Sequence, residues 1–104
     1  PKITEILKAF KARSPKTKVI YYSKHTQAAH VKALDLSCID VIGVDWRCDL
    51  VEIQKLLPPH VFIQGNLDPA WLHLPWELLE KKATHYYQDL RDRGLDFKRW
   101  VAGL

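Results

Sequence analysis

The chain has little of what several common functional classes require. Its 104 residues include no methionine, four glycines and two cysteines. It contains no phosphate-binding P-loop, no G-x-G-x-x-G dinucleotide fingerprint and no G-x-S-x-G hydrolase elbow. Its apolar runs are far shorter than the roughly 20 residues of a transmembrane helix, and no signal-peptide pattern opens the sequence. These absences exclude the usual nucleotide-binding proteins, serine hydrolases and proteins with membrane-spanning helices.

The cysteines and histidines do not form a recognisable site. Cys38 and Cys48 lie ten residues apart without C-x-x-C spacing, which indicates reduced thiols in a cytoplasmic protein. Cys38 precedes a buried segment and Cys48 has no evident base beside it, so neither is predicted to be a nucleophile. The five histidines show no H-x-x-x-H or H-E-x-x-H spacing. We therefore predict no metal site.

Composition and charge describe one globular unit. Hydrophobic residues make up 47% and charged residues 27% of the chain, which predicts a single domain spanning residues 1–104. The net charge of +4 is divided between the two ends of the chain instead of forming a stripe, so no nucleic-acid partner is predicted. The chain begins without methionine and stops just after an apolar run. We expect it to be part of a longer protein.

Hydrophobic periodicity alternates between helical and extended segments. An apolar stripe from Ile3 to Phe10 predicts a first helix that ends at Ser14, before a proline. Asp49 and Glu52 have the spacing of an N-cap and its N3 partner for the third helix. The longest helix is predicted to begin near Pro75 and to end at Gly94. Strands are predicted at 18–23, 40–45, 60–64 and 99–103.

This αβαβαβαβ order predicts an α/β fold with four parallel strands alternating with helices. Four such units make half of a TIM-type eight-stranded β/α barrel, which usually needs about 250 residues. A half barrel leaves two edge strands unpaired and its inner face partly bare. We therefore expect a partial barrel that associates through this face, most simply as a homodimer.

In a β/α barrel the functional site lies at the C-terminal ends of the strands. This rule selects as the candidate pocket rim Lys24, Asp45, Arg47, Gln64 and Asn66, with Ser23, His25, Trp46, Gly65, Asp68, Gly103 and Leu104 beside them. Carboxylates, cations and amides together suit a polyanionic ligand.

Each rim residue also has a purely structural interpretation. Asp45 fits a helix cap or a partner of Arg47 as well as a pocket residue. Asn66 and Asp68 have the pattern of a turn whose side chains bond their own backbone. Trp46 fits a packing anchor, and Lys24 fits a solvated lysine at a strand end.

Three segments carry a resemblance to a known family. The sequence D-V-I-G-V-D-W-R at 40–47 and Q-G-N-L-D-P at 64–69 resemble the G-(L/V)-D-W and Q-G-N-(L/M)-D-P strand ends of uroporphyrinogen decarboxylase. The segment 19–24 resembles that family's V-I-x-(F/Y)-(S/T/A)-K strand, although His25 stands where the family often has glycine. The final residues 102–104 resemble the N-L that precedes a Gly-His-Gly motif in the family.

The resemblance implies an enzyme of haem biosynthesis that converts uroporphyrinogen III to coproporphyrinogen III without a cofactor. In that family an N-terminal aspartate contacts the pyrrole N–H groups and stabilises a cationic intermediate. Arginine, tyrosine, serine and the histidine of Gly-His-Gly assist it. None of these motif positions falls within this sequence, so the resemblance implies no catalytic residue here. It implies the C-terminal half of a barrel, ending before Gly-His-Gly, that supplies wall and rim and is inactive alone.

Two other interpretations stay open. Cobalamin-linked methyltransferases share the fold and hold zinc through a histidine and cysteines near strand ends. Cys38 enters a strand and Cys48 follows one, but no His-x-Cys motif accompanies them. The third interpretation is a non-catalytic α/β association domain whose bare sheet face is the interface.

Overall fold

The computed structural model describes residues 2–103, and helices and strands alternate through this range. The helices are α1 (Lys2–Arg13), α2 (Ala28–Ala33), α3 (Leu50–Lys55) and α4 (Trp76–Asp92). The strands are β1 (Ile20–Tyr22), β2 (Val41–Gly43), β3 (Phe62–Gln64) and β4 (Trp100–Val101). Short 3-10 helices occupy Leu36–Cys38, Pro69–His73 and Phe97–Arg99. The predicted order of elements is confirmed.

The four strands form one parallel sheet in the order β1-β2-β3-β4. One row of paired residues crosses the whole sheet and consists of Tyr21, Ile42, Ile63 and Trp100. Sequential order with helical connections is the pattern of a β/α barrel that has been opened out. The fold is therefore a partial β/α barrel, as the sequence predicted.

The strands are shorter than the sequence predicted. The paired segments have two or three residues each, whereas five or six were expected. Beyond the paired residues, neighbouring segments of the chain stay linked by single hydrogen bonds, such as that from the N–H of Gly65 to the carbonyl of Val101 at 3.0 Å. At the opposite end, the N–H of Val19 donates to the carboxylate of Asp40 instead of to another strand. Side-chain acceptors and loop geometry thus end the regular ladder early.

Local signals in the sequence set the ends of two helices. The carboxylate of Asp49 accepts from the N–H groups of Val51 and Glu52, so it caps α3 as predicted. Pro75 stands at the N-cap of α4, one residue before the first helical residue. Gly94 follows the helix with φ +86°, a conformation that glycine adopts at low cost.

The core lies between the sheet and its helices. Ile42 and Ile63 are fully buried at its centre, and Leu50, Ile53 and Leu90 from α3 and α4 cover them. Helix α1 contributes less, because none of its residues is fully buried and Ile6 is 62% exposed. The stripe predicted on α1 therefore has only a partial cover.

Among residues 2–103, no helix covers the other face of the sheet. Side chains alternate between faces along a strand, so Ile20, Tyr22, Phe62 and Val101 project opposite to the core row. Their exposed fractions are 60%, 58%, 39% and 41%. We call these four residues the open face; in a closed barrel this face would line the interior. Within residues 2–103, no helix is both long enough and apolar enough to cross a bilayer.

Candidate functional site

Polar residues from three loops converge at the C-terminal ends of the strands. Four of the five residues predicted for the pocket rim line a single cavity of about 290 Å³: Lys24, Asp45, Arg47 and Asn66. The fifth, Gln64, lines a neighbouring cavity of about 380 Å³ over the sheet. Tyr22 and Val44 border both cavities, which makes the two spaces adjacent. Leu104, also predicted at the rim, lies outside the described residues.

Asp45 organises the loop that follows β2. Its carboxylate accepts from the backbone N–H of Arg47 at 2.9 Å, from that of His25 at 3.1 Å and from the Arg47 guanidinium at 3.0 Å. Burial by itself raises the pKa of this carboxyl, but the two N–H groups and the guanidinium outweigh burial and lower the pKa below its ordinary value. Asp45 is therefore a fixed anion. Of the interpretations left open by the sequence, pairing with Arg47 is confirmed.

Arg47 is held on two sides. Its guanidinium bonds Asp45 and also lies over the ring of Trp46, 4.6 Å from the centroid. A guanidinium constrained in this way loses less rotamer freedom when it binds an anion. Trp46 was expected to be a packing anchor, but its side chain is 48% exposed. That expectation is wrong, because the indole stacks against a cation at the surface instead of entering the core.

Asn66 is the most constrained residue of the rim. Only 4% of it is exposed, and its amide NH₂ donates to the carbonyl oxygens of Asp45 at 3.0 Å and Cys48 at 2.6 Å. Its carbonyl oxygen accepts from the hydroxyl of Tyr86. The local turn predicted for Asn66 is thus wrong, because these partners lie 18 to 21 residues away. Asp68 does form the predicted turn and accepts from Ala70 N–H at 3.0 Å.

Lys24 and Gln64 complete the predicted set. Lys24 is exposed, as predicted for a strand-end lysine, and its ammonium donates no hydrogen bond to another described residue. Gln64 ends β3, where its backbone carbonyl accepts from Val44 N–H at 2.9 Å and its side chain borders the open face. The rim therefore presents two cations, Lys24 and Arg47, toward one cavity.

A close backbone contact fixes the start of the loop after β3. Gly65 has φ +126°, and a Cβ at this position would lie 2.3 Å from the carbonyl oxygen of Val44. The indole N–H of Trp100 donates to the carbonyl of Gly65. Only glycine allows this approach of two strand ends, which brings Asn66 beneath the Asp45 loop.

Cys48 shares this loop but is not activated. Its thiol donates to the carbonyl of Thr26, and burial, together with the charges of Asp45 and Glu52, raises the pKa of the thiol above its ordinary value. Among residues 2–103, no three histidine, cysteine or acidic side chains converge in a way that could hold a metal ion.

The sequence did not reveal two residues of the site. Tyr22 borders both cavities, and the alternation of β1 would have placed it on the open face. Tyr86 lies on α4, twenty residues from Asn66. No local pattern signals a contact of this kind, because it depends on how α4 packs against the sheet.

Comparison with known proteins gives a family for this arrangement. The sequence model of the family described as uroporphyrinogen decarboxylase (URO-D) matches residues 1–104. The chain is 36% identical over 83 residues to the uroporphyrinogen decarboxylase of Koribacter versatilis, covering 80% of this chain and 23% of that protein. It is 37% identical over 73 residues to that of Chlorobium phaeobacteroides, covering 70% and 20%.

A third relative, the uroporphyrinogen decarboxylase of Halalkalibacterium halodurans, is 38% identical over 66 residues, which are 64% of this chain and 18% of that protein. The matched regions thus span about a fifth of the length of these relatives. The family model, which matches residues 1–104, includes the strands and strand ends on which the cavity is built.

Proposed function

This chain belongs to the uroporphyrinogen decarboxylase family, and from that premise we propose that it forms part of a barrel that converts uroporphyrinogen III to coproporphyrinogen III. The rim supplies cations for the carboxylates of the substrate. The observation that carries this proposal is the single cavity into which Lys24 and Arg47 both project at the strand ends. Two cations beside the open face suit a macrocycle that carries carboxylates at its edge.

The chemistry separates the roles of binding and proton transfer. Removing an acetate carboxylate requires protonation of the pyrrole ring carbon, after which the C–C bond breaks and its electron pair neutralises the cationic ring. Carbon dioxide leaves, a second proton converts the exocyclic methylene to a methyl group, and the ring proton is lost. The pyrrole ring accepts the electrons itself, so this sequence of steps needs no metal or other cofactor.

Asp45 is not suited to be the acid or the central anion of this reaction. A proton donor must hold a proton near neutral pH, whereas the hydrogen bonds on Asp45 lower its pKa. A carboxylate that faces the pyrrole N–H groups needs free oxygen lone pairs, and those of Asp45 already accept three hydrogen bonds. We therefore assign Asp45 to loop geometry and propose that the catalytic groups lie on other parts of the barrel.

Binding can be tested on the 104-residue chain. Uroporphyrin, the stable oxidised octacarboxylate, should quench tryptophan fluorescence weakly at low salt and less at high salt, because exposed charge pairs are screened. Lys24→Gln and Arg47→Gln should each weaken binding by about two- to fivefold. Lys98→Gln is the matched control, because Lys98 precedes β4 at the opposite edge of the sheet. Equal affinity in all four proteins would contradict the assignment of the rim.

Turnover needs the closed barrel. We expect no decarboxylation by the 104-residue chain alone, because its cavity is open to water. In a chimera in which residues 1–104 replace the matching segment of the Koribacter versatilis enzyme, coproporphyrinogen should form. In that chimera Asp45→Ala should raise KM or lower the yield of folded protein more than it lowers kcat. Turnover by the isolated chain that Asp45→Ala abolishes would overturn this assignment.

We also propose that a second copy of the chain covers the open face in a two-fold pair. The four residues of that face are apolar or aromatic and exposed. Val41 lies between Ile20 and Phe62 in one row, whereas Gly43 and Gln64 separate Tyr22 from Val101 in the next. Large exposed apolar patches are uncommon on monomers. Sedimentation of the isolated chain at micromolar concentration should give a dimer that Ile20→Lys dissociates. Leu78→Lys, at a residue 50% exposed on α4, is the control. A monomeric wild-type chain would refute the pairing.

The two cysteines bear on the cellular compartment of the protein. Cys38 and Cys48 are both free thiols, which supports a reducing compartment, and we propose the cytoplasm. A thiol count of two on protein isolated under alkylating conditions from the cell is expected; an oxidised pair would contradict the assignment.

A further inference from the structure

We infer that Tyr86, which lies on α4 outside the 290 Å³ cavity, is the positioning residue for the rim loop, residues 45–48, and acts through the side-chain amide of Asn66. The inference rests on the proposed function only in what the loop is for, namely holding Arg47 ready for a carboxylate. The positioning itself follows from a chain of hydrogen bonds that links the helix to the cavity.

The first link is between Asn66 and the rim loop. One NH₂ group donates to the carbonyl of Asp45 at the start of the loop and to that of Cys48 at its end. Both bonds are shielded from water, since Asn66 is 4% exposed. A single amide thus fixes the separation of the two ends, and Trp46 and Arg47 lie between them.

The second link sets the orientation of that amide. The hydroxyl of Tyr86 donates to Oδ1 of Asn66, so the oxygen faces α4 and the NH₂ faces the loop. A flipped amide would direct Oδ1 at the two loop carbonyls and lose both hydrogen bonds. An unsatisfied buried acceptor costs free energy, so the donor on Tyr86 favours the orientation that clamps the loop.

The third link keeps Tyr86 a donor. Its ring packs edge-on against Trp71 with centroids 6.0 Å apart. Burial, with the charges of Asp49 and Asp89, raises the pKa of Tyr86 to about 12. The hydroxyl therefore keeps its proton throughout the neutral and mildly alkaline range, and the clamp does not titrate there.

The clamp ends on the functional groups of the cavity. With its carbonyl held by Asn66, Asp45 presents its carboxylate to Arg47 and to the N–H of His25. Loss of the Tyr86 hydroxyl should therefore loosen groups that Tyr86 does not touch. Removing that one oxygen tests this expectation without removing the ring.

The test is amide hydrogen exchange by NMR on the full 104-residue chain. Tyr86→Phe should speed exchange of the Arg47 and His25 amides about three- to tenfold, with exchange of the buried Ile42 amide unchanged. Uroporphyrin binding should weaken by a similar factor. Tyr87→Phe is the matched control: this neighbouring tyrosine is 49% exposed, packs on Phe97, and its hydroxyl bonds no other described residue. It should change neither readout.

A double mutant tests the route through Asn66. In an Asn66→Ala background, adding Tyr86→Phe should have no further effect on Arg47 exchange. A further acceleration would overturn the route, and unchanged Arg47 exchange in a folded Tyr86→Phe variant would overturn the positioning role.

Should Tyr86→Phe fail to fold, the wild-type chain still decides: slow exchange of the Asn66 side-chain NH₂ protons supports the clamp and rapid exchange refutes it. If the wild type binds no uroporphyrin, the proposed function fails, while the exchange data still judge Tyr86.

Discussion

The side-chain amide of Gln54 and the backbone of Asp96 form two reciprocal hydrogen bonds. Nε2 of Gln54 donates to the carbonyl of Asp96 at 2.9 Å, and Oε1 accepts from its N–H at 2.8 Å. Gln54 is 6% exposed, and its partner lies 42 residues away. The pair joins α3 to the turn before β4, so it fixes where the edge strand begins.

Replacing Gln54 by alanine should therefore destabilise the fold by about 2 kcal/mol, because two part-buried hydrogen bonds, each worth about 1 kcal/mol, are lost. Urea unfolding followed by circular dichroism measures the change. Lys55→Ala, at the exposed neighbouring residue of α3, is the control and should stay within about 0.5 kcal/mol of the wild type. A Gln54→Ala variant as stable as that control would show that the two hydrogen bonds add nothing to the free energy of unfolding.

The two glycines with positive φ should respond differently to alanine. At Gly65 the new Cβ would collide with the Val44 carbonyl oxygen, so Gly65→Ala should cost about 3 kcal/mol or more, or prevent folding. At Gly94, φ is +86° but no atom lies within 4 Å of the added Cβ, and the cost should be about 1 kcal/mol. Thermal unfolding of both variants gives the comparison. Equal costs would mean that the close approach of the two strand ends is not rigid.

Acid should weaken the anchor at the N-terminal end of β2. A hydrogen bond from the Lys11 ammonium at 2.8 Å, and next the N–H of Val19, lower the pKa of Asp40 from its ordinary 3.8. Because the pKa of Asp40 is lower in the folded state, its carboxylate stabilises the fold fully at any pH above the pKa that it has in the unfolded chain, about 4. This stabilisation is lost as pH falls through the folded value. Unfolding free energy should thus decline from about pH 5 downward.

Asp40→Asn separates this contribution from the rest. The variant should lose about 1.5 kcal/mol at pH 7, and its stability should fall less steeply between pH 5 and pH 3. Asp92→Asn is the control, since that side chain is 71% exposed. Parallel pH profiles for the wild type and Asp40→Asn would exclude Asp40 as a source of the acid sensitivity.

The thiol of Cys48 should react slowly. Burial raises its pKa, so little thiolate is present at pH 8. In a Cys38→Ser variant the remaining thiol should react with Ellman's reagent at least about tenfold more slowly than glutathione, and faster as pH rises. Urea should remove the difference, because unfolding exposes the sulfur. A native rate equal to that of glutathione would contradict the part-buried hydrogen bond from the thiol to the carbonyl of Thr26.

Local sequence determined the elements of this fold and the edge of the sheet that carries the rim. The apolar runs at 41–44 and 61–63 predict strands, and Asp49, Pro75 and Gly94 mark helix ends through backbone groups within a few residues. Parallel strands bring their C-terminal ends to one edge of the sheet, so the sequence predicts that Lys24, Asp45 and Arg47 lie close together. The length of each strand was overestimated, because pairing depends on the neighbouring strand as well as on propensity.

Tertiary structure alone decided what each polar side chain of the rim touches. The sequence around Asn66 predicts a turn. In the folded protein Asn66 holds the rim loop instead, because α4 brings Tyr86 beside it. Trp46 reads as an anchor, and it stayed exposed because the loop turns it toward Arg47. These partners are distant along the chain or depend on loop direction, and the hydrogen bonds form only after the helices have packed on the sheet. Hydrophobic periodicity predicts which face of a helix or strand a residue occupies. Only the packing of the helices on the sheet determines which atoms its side chain contacts.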